Sequence, residues 1–151
     1  MRLNTFTDYS LRTLIYLALI KNSMLVTRRE IASAHDISDN HLMKVVHFLS
    51  RNGYIETTRG KGGGMRLART PEKINIGKLV YDCESDIPLV ECFKCDNRSR
   101  NDSCRLSGIC VFKNYLAEAH QAMYKTLGYY TLADVIVKKS AMQRRLGLKA
   151  N

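Results

Sequence analysis

Five cysteines are the side chains of this sequence best suited to do chemistry. Cys92, Cys95, Cys104 and Cys110 fall within nineteen residues, and Cys83 lies just upstream. The stretch that holds the four is rich in Asn, Asp, Ser and Arg and lacks periodic apolar residues, so we predict a loop without a core of its own. Four thiols gathered in one loop indicate a metal site.

Two kinds of metal site fit these thiols. In the first, all four hold a tetrahedral zinc ion, and the C-x2-C pair of Cys92 and Cys95 is the first half of the site. In the second, three of the four hold an iron–sulfur cluster, whose irons prefer thiolate ligands. Reduced thiols without a metal are the third interpretation, and spacing alone does not decide among the three.

The charge of the chain favours a polyanionic partner. The 151 residues include 45% hydrophobic ones, enough for one core, and carry a formal net charge of +10. The excess is denser in residues 1–70, with eleven Lys and Arg against five Asp and Glu, than in residues 71–151, with thirteen against nine. This balance is typical of nucleic-acid binding, although a basic protein without such a partner is the plain alternative.

The cellular compartment also follows from the sequence. The apolar run at residues 14–20 is too short to cross a bilayer, and no signal-cleavage site follows it. We therefore expect a cytoplasmic protein that does not contact a membrane. In that compartment cysteines more often bind metals or carry out redox chemistry than form disulfides.

Two helices are predicted near the start of the chain. Apolar residues recur with helical periodicity over residues 8–21, and the helix dipole favours a carboxylate such as Asp8 in the first turn. Thr27 and Glu30 form a capping box at the start of a short helix over residues 28–34.

A third helix, over residues 39–51, completes a predicted helix-turn-helix. Ser38 is its N-cap, and Gly53 ends it in a left-handed conformation. One face is apolar and must be buried, whereas the opposite face carries hydrogen-bond donors and no acid: Asn40, Lys44, His47 and Arg51. Such a face suits the major groove of DNA, and a solvated surface helix is the alternative.

A basic, glycine-rich hairpin follows this helix. Strands over residues 54–58 and 65–68 flank the turn RGKGGG, whose glycines permit positive φ angles. An arginine at such a tip can enter the minor groove. Helix, turn, helix and hairpin in this order predict a winged helix-turn-helix domain over residues 1–70. Its predicted DNA contacts are Arg28, Ser38, Asn40, His41, Lys44, Arg51, Arg59 and Lys61.

Residues 71–151 are predicted to form a second region. A helix over residues 76–83 leads into the cysteine loop, at about residues 84–110, and a long helix over 109–129 follows. Its apolar residues have heptad-like spacing, which favours pairing between two chains, with packing inside one chain as the alternative. A capping pattern at Thr131 opens a last helix, and the tail from Ser140 is predicted to be partly disordered. The fold class is mainly α.

Several runs of this sequence together resemble one family. MRLNTFTDYSLRTLIYLA, NHLMKVVHFLSRNGYIETTRGKGGGMRLA, INIGKLV, the cysteine loop and YTLADVI occur in the order found in the winged-helix iron–sulfur transcription regulators. The resemblance covers residues 1–138 and is strongest to the nitric-oxide-sensing repressors. It implies a homodimeric repressor of a pseudo-palindromic DNA operator, controlled by an iron–sulfur cluster that reacts with nitric oxide. The cluster implied is 4Fe–4S, with 2Fe–2S as the alternative.

The resemblance also implies the cluster ligands. The family has three cluster thiolates, the last two separated by five residues, which matches Cys104 and Cys110, and the context of Cys92 resembles that of the first. The gap after Cys92 is longer than usual and contains Cys95, which stays a possible alternative ligand. In the nitric-oxide sensors the fourth ligand is an aspartate of the first helix from the partner subunit, and Asp8 stands at that position. Cys83 is interpreted as non-ligating.

Two other functions were compared with this one. The first is a winged-helix DNA binder that is structured by zinc or controlled by thiol redox chemistry. The second is a small redox enzyme, which is disfavoured because the histidines have neither catalytic nor metal-binding spacing: His35, His41, His47 and His120. We therefore predict a regulator and not an enzyme.

Overall fold

The computed structural model describes residues 3–85, 88–90, 93, 104–106 and 109–148. Its helices are α1 (Thr5–Leu19), α2 (Arg28–His35), α3 (Asp39–Arg51), α4 (Ile76–Glu84), α5 (Phe112–Leu127), α6 (Leu132–Val135) and α7 (Lys139–Arg145), and its strands are β1 (Ile55–Thr58) and β2 (Gly64–Leu67). The mainly α fold with a helix-turn-helix and a two-stranded wing is confirmed. None of the described helices is long and apolar enough to cross a membrane.

Helix α1 lies at the centre of the fold and contacts α2, α3, α4, α6, α7 and β2. Three hydroxyl side chains on it are completely buried, at Thr7, Ser10 and Thr13. Ser10 and Thr13 donate to the carbonyls of Phe6 and Tyr9 one turn earlier, at 2.8 and 2.7 Å. Because these hydroxyls are satisfied within the helix, α1 can be enclosed on nearly all sides without losing hydrogen bonds.

The start of α1 differs from the prediction. The helix begins three residues before the predicted start at residue 8, because the side chain of Asn4 caps it and accepts from the N–H of Phe6 at 3.1 Å. Asp8 therefore still lies in the first turn. The apolar periodicity predicted only the part of the helix that faces the core. It did not include the first residues of the helix, 5–7, which precede that periodic pattern.

The helix-turn-helix follows the predicted pattern closely. The capping box at α2 is present, with the N–H of Thr27 donating to the Glu30 carboxylate at 2.7 Å. The turn contains Asp36 in a left-handed conformation, with φ of 51°. Helix α3 has the predicted bounds and a fully buried inner face, and Gly53 follows it at φ of 69°. Ser38 is the N-cap residue, but its side chain makes no capping hydrogen bond.

The wing is anchored by an element that the sequence did not reveal. Strands β1 and β2 are antiparallel, with Thr58 opposite Gly64. The segment before α2 adds a bridge, in which the backbones of Val26 and Met65 exchange hydrogen bonds of 3.0 and 2.8 Å. A Cβ at Gly64 would lie 2.8 Å from the carbonyl oxygen of Val26, so glycine is required for this close approach.

Helix α4 packs directly on the end of α5. A Cβ on Gly77 would lie 2.5 Å from the amide nitrogen of Gly128 and 2.5 Å from the carbonyl oxygen of Tyr124. Asn75 caps α4 by accepting from the N–H of Lys78, and its amide nitrogen also donates to the carbonyl of Gly128 at 2.7 Å. The two helices are therefore held backbone to backbone.

Helix α5 is largely exposed. None of its sixteen residues is fully buried, and Phe112 and Tyr115 are each 61% exposed. Within the predicted apolar stripe, Leu116, Met123 and Leu127 are half-buried. Exposed aromatic residues in a row of this kind are typical of a face that another protein surface covers.

The C-terminal tail is ordered into a helix, so the prediction of disorder from Ser140 is wrong for residues up to 148. Helix α7 packs on α1, and Gln143, 3% exposed, donates from its amide nitrogen to the carbonyl of Leu19 at 2.7 Å. Leu19 is the last residue of α1, whose final carbonyls lack partners within the helix. The buried amide of Gln143 donates to one of these carbonyls. Apolar periodicity in the sequence cannot predict such a contact.

Replacing Gly77 by alanine tests the backbone contact between α4 and α5. Alanine favours a helix by up to about 1 kcal/mol, but overlap with two backbone atoms at 2.5 Å costs more, typically 1–3 kcal/mol. We expect a net loss in the free energy of unfolding, measured by urea denaturation. Lys78→Ala is the control, because the Lys78 side chain is 64% exposed and an i,i+4 helix ion pair of the kind that it makes with Asp82 is typically worth about 0.3–0.5 kcal/mol. Unchanged stability of Gly77→Ala would contradict the close packing.

Candidate nucleic-acid interface and thiolate site

The outward face of α3 presents hydrogen-bond donors to solvent. Asn40, His41, Lys44 and Arg51, which are predicted DNA contacts, are all exposed, whereas Leu42, Val45 and Leu49 on the opposite face are completely buried. The helix is thus fixed by its apolar side and leaves its donor side free. This arrangement is the one required of a helix that reads base edges and phosphates.

Arg28 is engaged within the chain. Its guanidinium makes two hydrogen bonds of 2.6 Å with the carboxylate of Asp39, one residue into α3. This bidentate pair lowers the pKa of Asp39, chiefly through the hydrogen bonds from Arg28. Arg28 therefore braces α2 against α3. The neighbouring Ser38 is exposed at the start of α3.

The tip of the wing presents two cations. Arg59 and Lys61 are exposed, and neither has a carboxylate within ion-pair distance among the residues that the structure describes. Arg66, lower on the wing, is instead paired with Glu56 at 2.9 Å. Positive φ angles at Gly60 and Gly62, 99° and 80°, shape the tip.

The first turns of α1 contact α3 through aromatic rings. Phe6 meets Phe48 edge to face, with 5.2 Å between ring centroids, and Tyr9 lies against His41 at 6.2 Å. Asp8, between these two aromatic residues, is 46% exposed and forms an ion pair of 2.9 Å with Arg12. A predicted metal ligand is thus next to a residue that touches the exposed donor face of α3.

Glu84 joins the start of α1 to the end of α4. Its carboxylate accepts a hydrogen bond of 2.8 Å from the N–H of Asn4 and another from the hydroxyl of Thr7. Glu84 is the last residue of α4, just before the cysteine stretch. Sequence reasoning missed both Glu84 and Tyr9. Tyr9 could have been singled out, because it follows Asp8 in the first of the runs that resemble the family. Glu84 could not, because its hydrogen-bond partners lie about eighty residues away in the sequence.

Two of the predicted thiolate ligands lie in the described part of the chain. Cys104 and Cys110 are free thiols of intermediate burial. The N–H groups of Ile109 and Cys110 both donate to the carbonyl of Leu106, at 3.2 and 3.1 Å, which turns the chain between the two cysteines. Cys92 and Cys95 lie outside the described residues. The described candidates do not converge within one chain, because no three His, Cys, Asp or Glu side chains in the described ranges are grouped to hold a metal ion.

Cys83 has a different environment. It packs against the hydrophobic core from α4, and burial raises the pKa of its thiol to about 11. A thiol with a raised pKa is a poor nucleophile and a poor ligand near neutral pH. This environment is that of a packing residue, in keeping with its predicted non-ligating role.

A model of the Rrf2 family, described as iron-dependent transcriptional regulator, matches residues 3–138. The HTH-type transcriptional regulator NsrR of Bacillus licheniformis is 45% identical over 146 residues, which cover 97% of this chain and 99% of that protein. NsrR of Bacillus subtilis is 43% identical, with 99% of each chain covered. The solved structure of T. potens IscR is similar to this fold with a TM-score of 0.68, at 23% identity, covering 93% of this chain and 88% of that one.

Alkylation rates should separate the cysteines. In metal-free protein at pH 8, we expect iodoacetamide to modify Cys104 and Cys110 faster than Cys83, because the raised pKa of Cys83 leaves little thiolate at that pH. Peptide mass spectrometry over a time course measures each rate. As the pH rises toward 11, the rate at Cys83 should increase. A Cys83 that reacts as fast as the other two at pH 8 would refute the buried environment.

Proposed function

The chain belongs to the Rrf2 family of iron-dependent transcriptional regulators, and from that premise we propose that it is a homodimeric, cytoplasmic repressor controlled by nitric oxide. An iron–sulfur cluster, 4Fe–4S in this proposal, governs its affinity for a pseudo-palindromic operator. The observation that carries the proposal is the position of Asp8. Asp8 directly follows Thr7, which with Asn4 donates hydrogen bonds to the Glu84 carboxylate at the end of α4. Asp8 directly precedes Tyr9, whose ring contacts His41 of α3.

The chemistry of the available donors fits an iron–sulfur cluster. Cys104 and Cys110 are free and partly exposed, so both can bind iron without unfolding the core. With Cys92 they would supply three thiolates, and Cys95 is the alternative to Cys92. When bound, the cluster supplies iron sites that react with nitric oxide. A carboxylate is a harder, weaker partner for such iron than a thiolate, so the Asp8 position is the one most easily replaced.

Asp8 is proposed to act across the dimer. Within the described residues of one chain, Asp8 is not grouped with Cys104 and Cys110. Its half-exposed carboxylate would therefore complete the site of the other subunit. To do so, Asp8 must exchange its exposed ion pair with Arg12, and such a pair is worth only about 0–1 kcal/mol. The cost of making Asp8 available is small.

The contacts of α1 supply a route from this carboxylate to DNA. Moving Asp8 moves the turn that contains Phe6 and Tyr9, and these rings pack on Phe48 and His41 of α3. When the cluster is lost, Asp8 regains Arg12 and the α1 turn is freed from the other subunit. Because coupling between two binding sites is reciprocal, operator DNA should in turn favour the cluster-bound conformation.

Two copies of the DNA face are needed for a pseudo-palindrome. The exposed aromatic face of α5 is proposed to pair with its counterpart in the second chain. The two α3 helices would then enter major grooves about one helical turn apart. Asn40, His41 and Lys44 are assigned to the major groove, Ser38 and Arg51 to phosphates, and Arg59 and Lys61 to the wing contact. Arg28 contributes chiefly by bracing α3 through Asp39.

Metal analysis combined with DNA binding tests the proposal. Protein purified without oxygen should contain iron and sulfide, and it should bind its operator more tightly than random DNA. Nitric oxide should remove the tight binding, as followed by fluorescence anisotropy. Cys104→Ser should lower the iron content and abolish the nitric-oxide response, whereas Cys83→Ser should retain both, because the Cys83 side chain packs against the hydrophobic core from α4.

The same experiment separates the alternatives. Stoichiometric zinc without iron would contradict the cluster and favour the zinc-structured DNA binder. Equal affinity for operator and random DNA would contradict the repressor. Asp8→Ala should retain the fold, since the side chain is 46% exposed, and should make the cluster more labile to nitric oxide. An Asp8→Ala protein with an unchanged response would remove Asp8 from the ligand set.

The wing is tested by Arg59→Ala. Its side chain is exposed at the tip, so the fold should not change, and loss of one specific DNA contact should cost about 1–3 kcal/mol in operator binding. Lys21→Ala is the matched control, because Lys21 is equally exposed but follows the far end of α1. Anisotropy titrations at fixed salt measure both. Equal losses in the two variants would indicate a general charge effect and not a wing contact.

A further inference from the structure

An apolar cavity lies between α1 and the C-terminal helices, away from the donor face of α3. Its volume is about 510 Å³, within the range of sites for small organic ligands. Ile15 of α1, Val135 of α6, Met142 of α7 and Leu146, which follows α7, supply apolar walls. Val137 also lines the cavity and is 80% exposed. The DNA contacts do not use this cavity, and of its lining the proposed cluster chemistry uses only Arg12, through the ion pair with Asp8.

The polar groups at the cavity are cationic. Arg12, Lys138 and Arg145 line it, and none of the residues that line it is acidic. Among the described residues, Lys138 and Arg145 have no carboxylate within ion-pair distance. All three side chains are exposed, so water and salt screen their mutual repulsion, but together they make the rim of this solvent-open cavity attractive to an anionic group.

A fourth polar group at the cavity lacks a partner. Nε2 of His35, which lines the cavity, is a buried side-chain atom without a hydrogen-bond partner among the described residues. Buried polar atoms in folded proteins are nearly always satisfied, by protein, water or ligand. Because this atom has almost no accessible surface, a molecule in the cavity could reach it only if the His35 ring moved, and the cationic side chains are the accessible polar groups.

The cavity is held in shape by contacts outside it. Gln143 of α7 faces away from solvent and donates to the end of α1 at 2.7 Å, which fixes α7 against α1. Its neighbours Met142 and Leu146 are thereby kept at the cavity. A site whose walls are already positioned loses little conformational entropy when a ligand enters.

We propose that this cavity binds an amphipathic carboxylate, with its apolar chain between α1 and α7 and its head group on Arg145, Lys138 and Arg12. The chemical class is that of a medium-chain fatty acid. Arg12 is also the ion-pair partner of Asp8, at 2.9 Å, so the ligand carboxylate and Asp8 share one guanidinium. The head-group site thus shares Arg12 with the proposed function, whereas Lys138, Arg145 and the apolar walls are used by neither the proposed cluster nor DNA.

Equilibrium dialysis of radiolabelled decanoate against the full chain, purified without oxygen, tests the site. We expect saturable binding of one molecule per chain, at ligand concentrations below micelle formation. Decanol, which has the chain without the charge, and acetate, which has the charge without the chain, should each compete poorly. If decanoate does not bind saturably, the proposal is overturned. This holds also if the reason is that the second subunit of the dimer covers the cavity.

Two matched pairs of variants locate the bound molecule. Arg145→Gln should weaken binding about tenfold, the usual effect of losing one charge-assisted hydrogen bond, whereas Arg144→Gln, on the same helix but outside the cavity, should not. Ala141→Phe should fill the cavity and block binding, whereas Ser140→Phe should not. Thermal unfolding checks that each variant is folded. Binding that is equal in all four variants, or equal for decanol and decanoate, would overturn the assignment.

Discussion

The rest of the structure depends on the burial of α1. Its apolar side chains fill the core, and its hydroxyls at Thr7, Ser10 and Thr13 are buried as well. Ser10 and Thr13 return their hydrogen bonds to the helix, and Thr7 gives its own to Glu84. Since α1 touches both the DNA-facing elements and the C-terminal helices, no element can shift far without disturbing it. Close packing makes such a helix a rigid coupler.

This burial also explains how two regions of different composition act together. The hydrophobic core is continuous from Leu14 and Leu42, in the winged-helix part, to Leu79 and Leu132, in the part that follows. Directional contacts supplement it at the ends of helices, where Glu84 meets the start of α1 and Gln143 meets its last residue. Apolar contacts tolerate sliding, whereas these hydrogen bonds fix angle and register.

The sequence predicted the local features well, because periodicity, caps and turns act over a few residues. The bounds of α3, the capping box at Thr27 and the left-handed Gly53 all follow from neighbours in sequence. The partners of Val26, Glu84 and Gln143 could not be predicted in this way, because each lies tens of residues away and is chosen by the packed fold. The role of Asp8 came from family resemblance alone, since on local grounds it is an ordinary residue of a helix start.

Among the described residues of one chain, Asp8, Cys104 and Cys110 do not form a metal-holding group, and this has a consequence in mass action. If each cluster site is completed only by a second subunit, its occupancy depends on the concentration of the protein itself as well as on iron supply. At low concentrations of the protein, most cluster sites would lack the ligand from the second subunit. At high concentrations, most sites would have it. The cell could therefore set the threshold of the response through the copy number of the regulator, without any change in its sequence.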